Sequence, residues 1–363
     1  MRIVLVIYGT IETVTGGYIY DRKLIEHLDD FGDETHVVSI PWRNYVRHLS
    51  DNFSRTLVRR LRKFNPDIIL QDELNHPSLF LLNERLRDKS KFKIVSIVHH
   101  LRLSETHPAW QKGVYATVEK RYLQGVDAFI FNSKNTESVV YSIVGQSASV
   151  VAYPGKDRLL YIISNRAIAR RAKKRGPLRI VFLGNITRRK GLATLLHALA
   201  HIPRAEWVLT AIGNLTRDKN YGKTILRLVK RYGLDQRAVF TGLIPDAAVA
   251  ENLMRNHLLV VPSQHEGFGM SYLEAMGFGL PVIGTTSGGA SEVIKHGHNG
   301  FLIAPQDTQR LTVYIRQLAR DRLLLSEMGI KAHKSYEEFP TWRDTANTIH
   351  GFLHSISSTK TAA

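Results

Sequence analysis

Short apolar runs alternate along the chain with longer stretches whose apolar residues recur every three or four positions. In Tyr18–Phe31, for example, Leu24, Ile25 and Leu28 share one face. The short runs predict buried strands and the periodic stretches predict amphipathic helices. In the first half, strands are expected at Ile3–Tyr8, Thr35–Ile40, Asp67–Leu70, Lys93–Val98, Ala128–Phe131 and Ser149–Ala152. Helices are expected between them at Tyr18–Phe31, Ser54–Phe64, Pro77–Lys89 and Gln111–Leu123. The pattern then restarts. Strands at Leu178–Leu183, Glu206–Ile212, Val239–Thr241, Leu258–Val261 and Pro281–Gly284 enclose helices at Leu192–Ala200, Asn220–Tyr232, Ala247–Arg255 and Ser271–Phe278. Such alternation implies an α/β chain with parallel sheets covered by helices on both faces.

A length of 363 residues also exceeds one ordinary domain. We therefore expect two doubly wound, Rossmann-like domains. Pro154-Gly155 marks a turn, Arg166–Arg175 is rich in Arg, Lys and Ala, and Gly176-Pro177 closes that stretch. The expected division is 1–153, a linker over 154–177, and 178–339. In parallel sheets, ligands bind outside the carboxyl ends of the strands. Gly9, Gly16, Gly17, Gly184, Gly213, Gly242 and Gly267 fall there, and two such sheets facing each other would form one cleft.

Charge narrows the partners. Lys and Arg number 50 against 32 Asp and Glu, a formal net charge of +18. Such a field favours polyanions, including phosphorylated substrates and anionic lipid headgroups. Basic residues concentrate in Arg55–Lys63, which has an amphipathic pattern, and in Arg166–Arg175. One reading is a solvated helix face plus a linker; another is an anionic membrane surface. Nucleic acid is not expected, because no nucleic-acid motif is present and aromatics do not interleave with the basic runs. The absence of cysteine excludes disulfides, thiolate metal sites and cysteine nucleophiles. No apolar run reaches the ~20 residues of a membrane span, and the opening run has no small-residue cleavage site after it. The expected location is the cytoplasm, with attachment at the inner face of a membrane through the basic segments as an extension.

The most informative chemistry lies in Pro262–Met276, where a strand ends, a loop carries Glu266-Gly267-Phe268-Gly269, and a helix opens near Met270. Unpaired amides and the positive end of a helix suit a diphosphate there. Glu266 and Glu274 accept hydrogen bonds only, so they suit sugar and ribose hydroxyls rather than phosphate. Taken alone they read as ordinary glutamates; the glycine–aromatic–glycine context turns that reading. Gly288-Gly289 repeats the loop-to-helix device after the next strand, and His296–Gly300 reads as a turn.

Glu266 through Glu274-Ala275-Met276, then Gly279-Leu280-Pro281, Gly288-Gly289, Glu292 and Asn299-Gly300, resemble the donor-binding core of family 4 glycosyltransferases with the GT-B fold. The resemblance implies that Glu266 contacts the transferred sugar and Glu274 the nucleotide ribose. It places the backbone of Gly267, Phe268, Gly269 and Met270 near sugar and phosphate. In Gly184–Gly191 it implies that Lys190 binds the diphosphate. The family's arginine after the first glycine is Asn185 here, leaving Arg188 or Arg189 to supply that charge. It further implies donor contacts at Gly16 and Gly17, at the backbone near Leu243, and at His99, with His100 second. A terminal helix over 340–357, near Trp342, is expected to pack back on the first domain.

The activity so implied is retaining transfer from a nucleoside diphosphate sugar, UDP- or GDP-linked, to the hydroxyl of a glycan, lipid or small molecule. The proton passes to a donor phosphate oxygen on the same face. No cofactor is implied. No Asp-x-Asp motif stands at a strand end, and the resemblance implies transfer without a metal, with Lys190 and helix N-termini in its place. A nucleotide-sugar epimerase, a phosphorylase with a lysine-bound pyridoxal phosphate, and a non-catalytic nucleotide-sugar-binding protein are the alternatives on the same architecture.

Overall fold

Ile3 through Ile7 are wholly buried, as a strand covered on both faces requires. They form the centre of β1 (Arg2–Tyr8) in a computed structural model of the chain that describes residues 1–87, 92–105, 108–159 and 161–358. The end of the Pro77–Lys89 reading lies outside the described residues. The chain divides into two units, Met1–Gly155 with the segment from Pro340 onward, and Lys156–Phe339.

The first unit holds β1, β2 (Glu34–Ile40), β3 (Ile68–Asp72), β4 (Lys93–Val98), β5 (Ala128–Phe131) and β6 (Ser149–Val151). They pair in parallel in the order β2-β1-β3-β4-β5-β6. The chain leaves β2 and crosses back to β3, so the direction of winding reverses between β1 and β3. The helix Gly16–Asp30 follows β1, with the Thr15 side chain accepting from the Tyr18 amide as its cap. The helix Trp342–Ser358 packs on it. Tyr20 meets Trp342 edge-on at 5.6 Å, and Thr345 Oγ1 donates to Tyr153 O at 2.7 Å. The basic helix Arg55–Lys63 forms, but Leu57 and Leu61 are buried in this unit's core. Its apolar face is therefore covered, and what it shows to solvent is cationic: Arg55, Arg59, Arg60, Arg62 and Lys63.

The second unit holds β7 (Leu178–Leu183), β8 (Trp207–Ile212), β9 (Ala238–Gly242), β10 (Leu258–Val260), β11 (Val282–Thr285) and β12 (Gly300–Ile303). Their order is β12-β11-β10-β7-β8-β9, again parallel. Here the reversal falls between β7 and β10. Strand β12 went unseen in the sequence because Phe301-Leu302-Ile303 is short and abuts a turn. Gly300 lets it approach, since a Cβ there would lie 2.1 Å from Val282 O.

The expected linker 154–177 is corrected: from Lys156 onward it belongs to the second unit. Its core is a helix, Asn165–Lys173, with Ile168 and Ala172 buried one turn apart. Arg171 donates to Phe278 O at 2.7 Å and to Gly279 O at 2.8 Å, satisfying carbonyls at the end of the helix Met270–Gly277. A run of cations masked a two-residue apolar stripe. Helices Thr308–Arg320 and Arg322–Glu337 complete the unit. Among the described residues, no helix is long and apolar enough to cross a membrane.

Candidate functional site

A crevice opens where neighbouring parallel strands wind away in opposite directions. In the second unit that point is flanked by the loop after β7 and the loop after β10. Gly191 ends the first with φ +74°, and a Cβ on it would lie 2.0 Å from Pro262 O in the second. Glycine thus lets the two loops touch. The touch brings Lys190 to Glu266: Nζ donates to Oε1 at 2.6 Å, and Ser263 Oγ donates to the same oxygen at 2.5 Å. Arg189 joins them, donating to His265 O at 3.0 Å and standing 3.6 Å from Glu266 Oε2. Arg188 is exposed, so Arg189 is the arginine that reaches the Glu266 loop.

Glu266 is 5% exposed. Burial pushes its carboxyl up, but Lys190 and Arg189 outweigh it and hold the group at about 2. Burial lowers the Lys190 ammonium, against the pull of Glu266. The loop backbone is clamped from the β11 side, where the Gly289 amide donates to Glu266 O at 2.9 Å. Gly269 then turns the chain with φ +103° into the helix Met270–Gly277, buried Phe268 packing edge-on to Phe339. That helix start carries a positive partial charge. An ammonium, a guanidinium and a helix N-terminus beside one ionised carboxylate can hold an anion and, next to it, a hydroxyl-bearing group.

Glu274, one turn into the helix, is 9% exposed and lies 2.7 Å from Arg158 Nε. Arg158 had no assigned role in the sequence. Asn185 O accepts from the Thr187 amide within the loop after β7. Leu243, after β9, is 54% exposed.

In the first unit, His99 follows β4, and its Nε2 is 3.0 Å from Asp21 Oδ1 on the helix Gly16–Asp30. Gly16 opens that helix, and Gly17 faces the imidazole: a Cβ there would lie 2.9 Å from His99 Cδ2. Burial pulls the His99 pKa down, while Asp21, Asp72 and Glu73 raise it to a net increase. His100 instead pairs with Glu105 at 3.1 Å.

The sequence reading missed a second buried group beside it. Glu73, His76 and Glu119 offer ligand-type atoms within 4.8 Å of one another, as do Asp21, Asp72 and His99. Glu119 accepts from the Arg102 and Leu103 amides at 2.7 and 3.1 Å, and His76 Nε2 is 3.2 Å from Tyr45 Oη. Burial pushes Asp72 up to about 7, Glu73 to about 8 and Glu119 to about 9, and drives His76 down to about 4. The available signal was Asp72-Glu73-Leu74-Asn75-His76 directly after an apolar strand. No spacing tied it to Glu119.

Two family models match the chain: Glycosyltransferase Family 4 over residues 20–158, and Glycosyl transferases group 1 over residues 164–335. Between them they take in most of both units. The chain belongs to glycosyltransferase family 4. Among curated relatives, the N-acetyl-alpha-D-glucosaminyl L-malate synthase of Bacillus anthracis is 42% identical over 117 residues, 32% of this chain and 30% of the relative. The GDP-mannose-dependent alpha-(1-6)-phosphatidylinositol monomannoside mannosyltransferase of Mycolicibacterium smegmatis is 29% identical over 235 residues, 60% of this chain and 59% of the relative. The match thus spans under two thirds of either relative's length.

Among solved structures, sucrose-phosphate synthase from Thermosynechococcus elongatus superposes with a TM-score of 0.85 at 21% identity, covering 99% of this chain and 100% of that one. Anabaena HepE in complex with UDP and glucose gives 0.76 at 21% identity, covering 98% and 100%. These likenesses establish the fold, GT-B. In this family 4 glycosyltransferase the loop after β7 brings two cations to Glu266, Lys190 and Arg189, the latter four residues after Asn185.

Proposed function

We propose that the chain transfers a sugar from a nucleoside diphosphate sugar to an acceptor hydroxyl, with retention at the anomeric carbon and without a metal ion. The Lys190–Glu266 pair at the β7/β10 reversal carries the reading. A diphosphate placed at the start of the helix Met270–Gly277 meets Lys190, Arg189 and the first-turn amides, which offset the charge growing on it as it leaves. Glu266, ionised and anchored, accepts from a hydroxyl of the transferred sugar. Glu274 accepts from the ribose. The acceptor oxygen forms its bond to the anomeric carbon as the bond to the diphosphate oxygen breaks, and the acceptor proton passes to that diphosphate on the same face. HepE structures holding UDP and UDP-glucose on this fold support a uridine donor as the first to try. For the first unit we propose acceptor recognition.

UDP- and GDP-sugars incubated with an acceptor panel should release nucleoside diphosphate together with an α-linked product from an α-linked donor, unaffected by EDTA. Lys190→Ala should lower turnover by about a thousand-fold in a folded protein, the scale of losing one preorganised charge contact in the transition state. A free epimerised sugar, or turnover near wild type in Lys190→Ala, would overturn the reading.

A further inference from the structure

Arg158 sits where nothing in the transfer step requires an arginine, yet its side chain is only 11% exposed. Its Nε lies 2.7 Å from Glu274 Oε1, and its NH1 donates to Asp246 Oδ1 at 3.1 Å. Asp246 begins the helix Asp246–Arg255 that follows β9. One guanidinium therefore ties together the segment entering the second unit, the helix after β10 and the helix after β9.

An exposed ion pair contributes little. This one is buried on the Glu274 side, where an uncompensated carboxylate is costly. The groups facing Glu274 are Arg158, Asp246, Lys190 and Tyr336. Asp246 opposes its ionisation, and Lys190 is already committed to Glu266 at 2.6 Å.

We infer that Arg158 is a positioning residue of the nucleotide subsite: it supplies the buried counter-charge that fixes the Glu274 carboxylate as an acceptor for a ribose diol. The inference rests on the nucleotide-sugar reading above. Burial raises the Glu274 pKa above its ordinary value, and Arg158 limits the rise. Without Arg158 the carboxyl holds its proton to higher pH and offers the ribose a weaker acceptor.

The test is calorimetric titration of UDP and of GDP into the full chain, for wild type, Arg158→Met, Arg158→Lys, Glu274→Gln and the Arg158→Met/Glu274→Gln double variant. Arg158→Met should bind about ten-fold more weakly at pH 7, the worth of one charge-assisted hydrogen bond. The penalty should shrink as pH rises and Glu274 ionises. Arg158→Lys keeps the charge and should recover part of the loss. In the Glu274→Gln background the Arg158→Met penalty should disappear. Undiminished loss in that background would mean that Arg158 acts on the ligand itself and would overturn the inference. So would unchanged affinity in Arg158→Met, or in Arg158→Lys and Glu274→Gln should Arg158→Met fail to fold. Wild type binding neither nucleotide is a different result. It overturns the nucleotide reading, and the inference with it.

Discussion

Replacing Glu266 by glutamine removes a charge and almost no volume, which makes its effect interpretable. The carboxyl lies at about 2 against an ordinary 4.5, a difference of about 3 kcal/mol. A depressed carboxyl contributes stability that is fully present above 4.5 and is lost as pH falls toward about 2. At pH 7 the whole contribution is at stake. In the variant, Lys190 stays 14% exposed and Arg189 30% exposed, with their common anion gone. For a unit of this size each kcal/mol moves the melting temperature by about 2–4 °C, so the second unit should melt about 6–12 °C lower. A diphosphate replaces the missing negative charge. UDP should therefore stabilise Glu266→Gln more than wild type and bind it more tightly, while turnover falls. Differential scanning calorimetry with and without UDP reads the first two effects, and initial rates read the third. A melting temperature within about 2 °C of wild type at pH 7 would show that the pair contributes little. Weaker UDP binding in the variant would show that Lys190 and Arg189 are not the diphosphate's partners.

Asp21→Asn removes the nearest anion from His99, so the His99 imidazole should titrate at lower pH by NMR; an unchanged titration would remove Asp21 as its partner. Glu73 and Glu119, raised by burial to about 8 and about 9, cost stability as pH climbs from their ordinary range through those values. Glu119→Gln should therefore flatten the loss of stability between pH 6 and pH 9, measured by chemical denaturation at each pH; an equal slope would place the loss elsewhere. Gly269→Ala forces a Cβ to within 2.3 Å of Tyr272 Cδ2 at φ +103°. It should cost about 1–3 kcal/mol and shift the loop, weakening UDP binding alongside stability.

The two sheets were readable because their central strands are short, mostly apolar runs rich in Val, Ile and Phe. Leu178–Leu183, Lys93–Val98 and Ala128–Phe131 begin and end where the pattern puts them. Reading failed where one side chain outweighed the pattern around it. Arg171 looked like part of a solvated tract, but its guanidinium caps carbonyls of another helix while Ile168 and Ala172 pack inward. The site divides in the same way. Glu266, Lys190 and Gly269 sit on loops whose glycines announce unusual backbone, so local sequence reveals them. Arg158, Asp246, Glu73 and Glu119 draw their meaning from partners dozens of residues away.

Strand order explains why the local clues converge. With β7 and β10 adjacent and parallel, the loops that follow them start side by side at the same edge of the sheet, and Gly191 lets them touch at Pro262. Lys190 and Glu266 are 76 residues apart in the chain. Their contact therefore follows from topology, not from any motif that spans them. The same geometry lets a second position on this loop face Glu266 where Asn185 carries no charge. A crevice between two loops can take its second cation from any position on the loop after β7 that faces the other loop, and Arg189 is such a position. The constraint acts on where charge stands relative to the Met270–Gly277 helix start, and less on which residue number brings it there.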